Sequence, residues 1–103
     1  MCVYSFEEIA ERVRPVAEKY GLKSVYLFGS YARGDADDDS DVDLLVDAEN
    51  VRGFRFFGMY DDFCTALEKE VDMVTMDSLE RQRGTALGGR FVKEVELDRR
   101  SLL

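Results

Sequence analysis

The feature that most constrains the fold is the run Asp41–Asp47, where two aspartates alternate with apolar residues and lead into Leu44-Leu45-Val46. Successive side chains of a β-strand point to opposite faces, so Asp41, Asp43 and Leu45 share one face of this predicted strand. A solvated pair of aspartates on an edge strand is the plain alternative. The apolar residues that follow argue against it, so we expect a strand that packs in the sheet and presents two carboxylates on one side.

The rest of the sequence alternates between helical and strand patterns. A helix is predicted from Ser5 to Tyr20, with a capping box between Ser5 and Glu8, a kink or break at Pro15 and a stop at Gly21. A second helix is predicted over 54–69. The other predicted elements are a strand over 24–28, a short helical turn and loop over 31–40, a strand over 71–76, a short helix capped by Asp77 and Glu80, and a last strand over 91–97.

The second helix carries more aromatic residues than one buried face needs. Its predicted buried stripe consists of Phe54, Phe57, Phe63, Cys64 and Leu67. Three further apolar residues, Phe56, Met59 and Tyr60, lie off that stripe. Either the rest of the protein covers this helix on all sides, or part of a second apolar face is exposed and suits a protein partner or a homo-oligomer.

Length and charge limit what the chain can do. The 103 residues predict one domain over 1–103, with no room for a separate substrate-binding domain. Lys and Arg number 14 against 22 Asp and Glu, a net charge of −8, which disfavours direct binding of nucleic acid. The sequence has no histidine, so His-based catalysis and His-ligated metals are excluded, and any metal must be a hard ion held by oxygen.

The cysteines and the hydropathy pattern predict a cytoplasmic protein without a membrane segment. Cys2 and Cys64 form no disulfide framework and no zinc motif; Cys64 reads as a core residue and Cys2 as part of a flexible start. No apolar stretch reaches the length of about 18 residues that a membrane span needs, and no basic leader precedes an apolar run.

Three features point to one site. Gly29-Ser30 directly follows an apolar strand, where a turn into a helix offers backbone N–H groups to phosphate oxygens. Asp41 and Asp43 share a strand face, and Asp72 lies one residue into another apolar strand. If the two strands are neighbours, three carboxylates crowd together and repel one another, an arrangement that a Mg²⁺ ion would relieve.

These residues resemble a known signature. The segment 27–34 reads Leu-Phe-Gly-Ser-Tyr-Ala-Arg-Gly and the segment 40–46 reads Ser-Asp-Val-Asp-Leu-Leu-Val, with ten residues between Gly-Ser and Asp-x-Asp. This pattern resembles the DNA polymerase β-like nucleotidyltransferase superfamily, in the form found in minimal nucleotidyltransferases. The resemblance implies an α/β (α+β) fold, with a small mixed sheet and helices packed mainly on one face.

The resemblance also implies roles for the matching residues. Gly29 and Ser30 would hold the triphosphate of ATP. Asp41 and Asp43 would bind two Mg²⁺ ions, and Asp72 would complete the catalytic site and help to deprotonate the acceptor. Arg33 matches the arginine of the family. Two roles remain open for it: contact with phosphate, or a structural ion pair.

Minimal members of the family are antitoxins of HEPN-domain toxins, which implies transfer of AMP from ATP to a tyrosine of such a partner. Two alternatives remain: a non-catalytic nucleotide-binding module that neutralises its partner by binding, and a small-molecule transferase similar to the aminoglycoside nucleotidyltransferases. The sequence identifies neither the acceptor, the nucleotide base, the number of transfers nor the oligomeric state.

Two other ligand-binding motifs do not match the required pattern, and the remaining charged residues are expected to lie on the surface. An EF-hand starting at Asp37 would need glycine where Val42 stands, and a P-loop starting at Gly29 lacks its lysine. The acidic residues Asp35, Asp37, Asp38 and Asp39 are expected to form a solvated loop. The arginines Arg81, Arg83 and Arg90 are expected to lie on the surface.

Overall fold

The computed structural model describes residues 3–103, so the prediction for Cys2 falls outside the described residues. Five helices and four strands follow in the order α1 (Phe6–Tyr20), β1 (Val25–Phe28), α2 (Gly29–Arg33), β2 (Val42–Val46), α3 (Phe54–Leu67), β3 (Val71–Thr75), α4 (Met76–Gln82), α5 (Ala86–Asp98) and β4 (Arg100–Ser101). Among these residues no helix has the length and apolar character that crossing a bilayer requires.

Helix α1 begins and ends where its capping residues predict. The Ser5 hydroxyl accepts a hydrogen bond from the Glu8 amide at 3.2 Å, and the Glu8 carboxylate accepts one from the Ser5 amide at 2.9 Å. Gly21 closes the helix in the left-handed conformation, with φ 65°. The helix continues through Pro15 to Tyr20, so the predicted break does not occur.

The four strands form one mixed sheet in the order β3-β2-β1-β4. Strand β1 is antiparallel to both β2 and β4, whereas β2 and β3 are parallel. The predicted α/β fold with a small mixed sheet is therefore confirmed. The register matters for the site because it sets Phe28 opposite Asp43, and Asp43 opposite Asp72.

The two faces of the sheet bury different amounts of apolar surface. The larger core lies under α1 and α3 and includes Val42, Leu44 and Val46 of β2. Leu45, on the aspartate-bearing face, belongs to a smaller core that also contains Phe28, Leu79, Val92 and Val95, so α4 and α5 cover part of this second face. The aspartates therefore share their side of the sheet with the two C-terminal helices.

The C-terminal region differs from the sequence prediction. Residues 91–97 are not a strand but part of α5, which begins where the Thr85 hydroxyl accepts a hydrogen bond from the Gly88 amide at 2.9 Å. Val92 and Val95 are buried at helical spacing, and the last strand is instead β4. The N-cap of α4 is Thr75 rather than Asp77.

Helix α3 buries only part of the predicted stripe. Met59, Phe63 and Leu67, spaced by four residues, are buried, whereas Phe54 is 93% exposed and Phe57 is 70% exposed. A spacing of four keeps residues on one helix face. The predicted stripe is therefore correct at Phe63 and Leu67 and wrong at Phe54 and Phe57, because the spacing of four that runs back from Phe63 leads to Met59.

Candidate active site

The turn between β1 and α2 is built so that a carboxylate can lie directly against it. Gly29 has φ 73°, and a Cβ at this position would overlap the carboxylate of Asp43. Phe28, the preceding residue, is the sheet partner of Asp43. Glycine is therefore required here for two reasons: the left-handed backbone conformation and the close approach of Asp43.

Pairing of β2 with β3 brings two of the three predicted carboxylates together. Asp43 and Asp72 occupy paired positions on adjacent parallel strands, where neighbouring backbones are about 4.8 Å apart. Asp43 is half-buried, and Asp72 is exposed. Asp41 is also exposed and lies immediately before the first residue of β2, one step outside the ladder.

The crowding of these carboxylates perturbs Asp43. Burial, followed by repulsion from Asp72 and from Asp41, raises the pKa of Asp43 from 3.8 to about 6. The Arg33 guanidinium acts in the opposite direction and lowers this pKa, but does not compensate the other effects. The site therefore holds negative charge at a cost that a bound cation would remove.

Asp43 and Asp72 line a cavity of about 310 Å³, whereas Asp41 is not among its lining residues. Its lining residues come from β1, α2, β2, β3 and α5: Phe28, Gly29, Ser30, Arg33, Asp43, Asp72, Phe91, Glu94, Val95 and Asp98. A larger cavity of about 670 Å³ lies elsewhere, beyond the carboxyl ends of β2 and β3. The smaller cavity is the candidate active site, because it contains the predicted Gly29, Ser30, Arg33, Asp43 and Asp72.

Arg33 both lines this cavity and forms ion pairs. Its guanidinium donates to Asp98 at 2.8 Å and to Asp35 at 3.2 Å. Hydrogen bonds to Asp98 and then to Asp35 raise the pKa of Arg33, so the group stays cationic. The sequence left two roles open for Arg33, and the structure shows the structural ion pair. The same residue also lines the cavity of about 310 Å³.

The acidic run after α2 is a surface loop. Asp35, Asp37, Asp38 and Asp39 are all exposed, as expected for solvated residues. The Asp37 carboxylate organises the turn by accepting hydrogen bonds from the Asp39 amide at 2.9 Å and the Ser40 hydroxyl at 3.2 Å. Lys69 donates to the Asp38 carbonyl at 3.0 Å, which ties the loop to the segment before β3.

The side chains at the site fit a hard divalent cation by their chemistry. Asp41, Asp43 and Asp72 supply carboxylate oxygens, the donors that Mg²⁺ prefers, and burial, followed by repulsion from Asp72 and Asp41, raises the pKa of Asp43. Within residues 3–103, however, no three His, Cys, Asp or Glu side chains lie in an arrangement that could already hold a metal ion. The sheet therefore supplies two carboxylates in register, with the third beside them.

Sequence reasoning missed the contribution of α5. Phe91, Val95 and Asp98 repeat at helical spacing along one face and form a wall of the cavity. Phe91 also packs edge-on against Phe28, with ring centroids 6.1 Å apart. The N-cap pattern at Thr85 and the helical spacing of Phe91, Val95 and Asp98 could have revealed this helix.

Comparison with known proteins gives a consistent picture. A family model described as "Nucleotidyltransferase domain" matches residues 9–103. The chain is 36% identical over 84 residues to the protein adenylyltransferase MntA of Thermococcus cleftensis, covering 77% of this chain and 85% of that protein.

Solved structures share the fold. A minimal nucleotidyltransferase superposes with a TM-score of 0.68 at 29% identity, covering 97% of this chain and 98% of the other. A chain of the complex between tri-AMPylated HEPN toxin and MNT antitoxin of Shewanella oneidensis superposes with a TM-score of 0.62 over 95% of this chain and 71% of the other. At 19% identity, the second likeness concerns the fold alone.

Proposed function

This chain belongs to the nucleotidyltransferase-domain family, and from that premise we propose that it is a Mg²⁺-dependent protein adenylyltransferase acting as an antitoxin. Its substrate is ATP, and its acceptor is a tyrosine hydroxyl on a HEPN-type toxin partner. The observation that carries the proposal is the paired position of Asp43 and Asp72 beside the Gly29 turn. Phosphate-binding and cation-binding groups then face one cavity.

In the reaction, the acceptor hydroxyl oxygen bonds to the α-phosphorus of ATP as the bond from that phosphorus to the bridging β-phosphate oxygen breaks. Pyrophosphate leaves with the electron pair, and AMP stays on the acceptor. Backbone N–H groups at Gly29 and Ser30 hold the triphosphate, since this turn opens a helix. Asp72, exposed on β3, accepts the proton of the acceptor hydroxyl as the new bond forms.

Asp41 and Asp43 hold the cations, with Asp72 completing the set. Mg²⁺ held there would neutralise the negative charge that develops on the transferring phosphate. Asp43 has a further role in fixing the geometry, because it lies against Gly29 and so sets the distance between carboxylates and triphosphate site. Arg33, held by Asp98, presents positive charge to the same cavity.

Two further observations support the choice of ATP and of a toxin acceptor. The similar MntA protein is named a protein adenylyltransferase, and a chain of the same fold occurs in a complex with an AMPylated HEPN toxin. In addition, the residues that the structure describes contain no helical domain beyond α1–α5 that could bind an acceptor. In this proposal a partner protein brings the acceptor hydroxyl to the cavity.

Transfer of label from α-phosphate-labelled ATP to the purified HEPN-domain protein of the source cell tests the proposal. Asp43→Asn is compared with wild type, and Asp37→Asn, in the exposed loop, is the matched control because it removes one negative charge outside the cavity. We expect one labelled band that needs Mg²⁺, falls at least about 100-fold in Asp43→Asn and persists in the control.

Other outcomes separate the alternatives. Absence of label with any of the four nucleotides would reject the protein-modifying activity. If the Asp43→Asn variant still protected cells from the toxin, neutralisation by binding would replace catalysis as the antitoxin mechanism. Label on an aminoglycoside instead of the protein would support the small-molecule transferase.

A further inference from the structure

The first half of α3 presents an aromatic pair to solvent. Phe54 is 93% exposed and Phe57 is 70% exposed, and a separation of three residues places them side by side on one helix face. Large aromatic side chains are more often buried, and contiguous exposed apolar surface in a soluble protein commonly marks an interaction site. Nothing in the proposed chemistry uses these two residues.

The aromatic pair continues towards the cavity of about 670 Å³. Phe57 contacts Phe56 edge to face, with ring centroids 6.4 Å apart, and Phe56 lines the cavity of about 670 Å³. The cavity lies beyond the carboxyl ends of β2 and β3, next to Asp47 and Thr75. Phe54, Phe57 and this cavity form one surface, which we call the docking surface.

Charge distinguishes the possible occupants. Four carboxylates, those of Asp47, Glu49, Asp77 and Glu80, line the cavity against one guanidinium, that of Arg52. Asp77 pairs with Arg81, and Glu80 with Arg83. Among residues 3–103 no ion pair forms at Asp47 or Glu49, so these two carboxylates are available to a basic side chain from outside.

A second copy of this chain is a poor occupant. In a two-fold symmetric dimer both sides of the interface carry the same residues, so the carboxylates of the cavity would meet a surface with Arg52 as its one basic lining residue. Each copy also carries a net charge of −8. A different protein, with an apolar side chain next to a lysine or arginine, complements both the aromatic pair and the acidic cavity.

We infer that the docking surface is where the toxin partner binds, with an apolar anchor on Phe54 and Phe57 and a basic side chain in the adjoining cavity. The inference rests on the proposed function. Asp43 and Asp47 are four residues apart on β2 and its continuation, about 13 Å at strand geometry, so docking and transfer use separate residues. Removing the aromatic pair therefore leaves the catalytic carboxylates in place.

The test measures the dissociation constant for the purified HEPN-domain partner by calorimetry, together with transfer of AMP. Phe54→Ala with Phe57→Ala is the test variant. Leu87→Ala with Leu97→Ala is the matched control, since those residues are 89% and 85% exposed on α5, away from the surface. We expect the test variant to bind at least about 10-fold more weakly, while the control binds like wild type.

Transfer provides the second measurement. With partner in excess of the weakened dissociation constant, the test variant should reach a kcat close to that of wild type, because its active site is unchanged. Asp47→Asn with Glu49→Gln should slow association and reduce its dependence on salt.

Three results would overturn the inference. Equal affinities of wild type and the test variant would show that the partner binds elsewhere, while the proposed function would stand. A wild-type dimer in sedimentation that is lost on removal of the two phenylalanines would assign the surface to self-association. Failure of wild type both to bind and to modify the partner would reject the proposed function, and the docking inference with it.

Discussion

At the scale of single residues, Gly29 and Asp43 illustrate how closely the candidate site is packed. The carboxylate of Asp43 occupies the space that a side chain at position 29 would fill. Pairing of β1 with β2 places Asp43 there. The sequence alone predicted that Gly29 matters for phosphate binding. That it must be glycine to accommodate Asp43 follows only from the strand pairing.

Gly29→Ala should impair transfer far more than Gly34→Ala. Both glycines have left-handed φ values, 73° and 84°, so each substitution should cost roughly 1–2 kcal/mol of stability. Only at Gly29 does the new methyl group overlap Asp43, whereas no atom lies within 4 Å of a Cβ at Gly34. We expect kcat/KM for ATP to fall at least about 100-fold in Gly29→Ala and only a few-fold in Gly34→Ala. Equal losses would attribute the effect to backbone strain.

In the absence of metal, the ionised carboxylate of Asp43 should lower the free energy of unfolding at neutral pH. Its pKa is raised from 3.8 to about 6, so the native state binds more protons than the unfolded state between these pH values. The free energy of unfolding therefore falls as pH rises through that window. After allowance for partial exposure, the cost above pH 6 is about 1 kcal/mol.

Asp43→Asn removes this cost. The variant should unfold at a temperature roughly 4 °C higher than wild type at pH 7.5 without metal, and the difference should vanish at about pH 2.5, where Asp43 is protonated in both states. Added Mg²⁺ should raise the midpoint of wild type more than that of the variant. A variant less stable than wild type at pH 7.5 would contradict this account of the carboxylate cluster.

At the scale of elements, helices α1 and α5 show what local patterns can and cannot predict. The capping box at Ser5 and the glycine after Tyr20 identified α1 with its boundaries, because capping depends on residues close together in sequence. Helix α5 was mistaken for a strand, because its short apolar run of Phe91, Val92 and Val95 fits both periods. The helix is favoured because it lets Val92 and Val95 pack together against Leu45 and Leu79.

The link between α5 and α2 should affect ATP binding. The Asp98 side chain is only 20% exposed and holds Arg33 at 2.8 Å in the wall of the cavity. Asp98→Asn should raise KM for ATP roughly 10-fold with a smaller change in kcat, because Arg33 loses the partner that positions it. Glu96→Gln is the control: it also removes an ion pair of α5, with Arg83 at 3.1 Å, but does not line the cavity. Similar KM values in both variants would reject the positioning role.

At the scale of the whole molecule, β2 connects two surfaces. Its first half carries Asp43 of the candidate active site, and its end leads into the larger acidic cavity that Phe56 lines. The proposed sites of transfer and docking therefore lie at opposite ends of one strand. This arrangement lets each be altered by mutation without the other, which is what the proposed experiments use.

The overall charge should exclude nucleic acid as a direct ligand. With 22 acidic against 14 basic side chains, the surface repels phosphate backbones. Filter binding with labelled single-stranded RNA and duplex DNA at 0.15 M salt should detect no complex up to about 100 µM protein. Measurable binding that weakens with salt would require a basic surface that the net charge conceals.

The sequence by itself determined the features that depend on near neighbours in the chain. The alternation along β2 predicted that Asp43 and Leu45 share a face, and the spacing from Gly29-Ser30 to Asp41 and Asp43 identified the family that the domain match confirms. Both are local, because the pleat of a strand and the geometry of a turn are set by adjacent backbone dihedrals.

Only the tertiary structure decided the features that join distant segments. The register that opposes Asp72 to Asp43, the ion pair of Asp98 with Arg33, and the exposure of Phe54 and Phe57 all depend on how separate elements pack. Residue type and spacing leave these choices open, since one apolar helix face or one strand register can satisfy the same pattern as another. Burial of the best-fitting faces against the sheet selects among them, and that selection places the carboxylates, the arginine and the exposed aromatic pair.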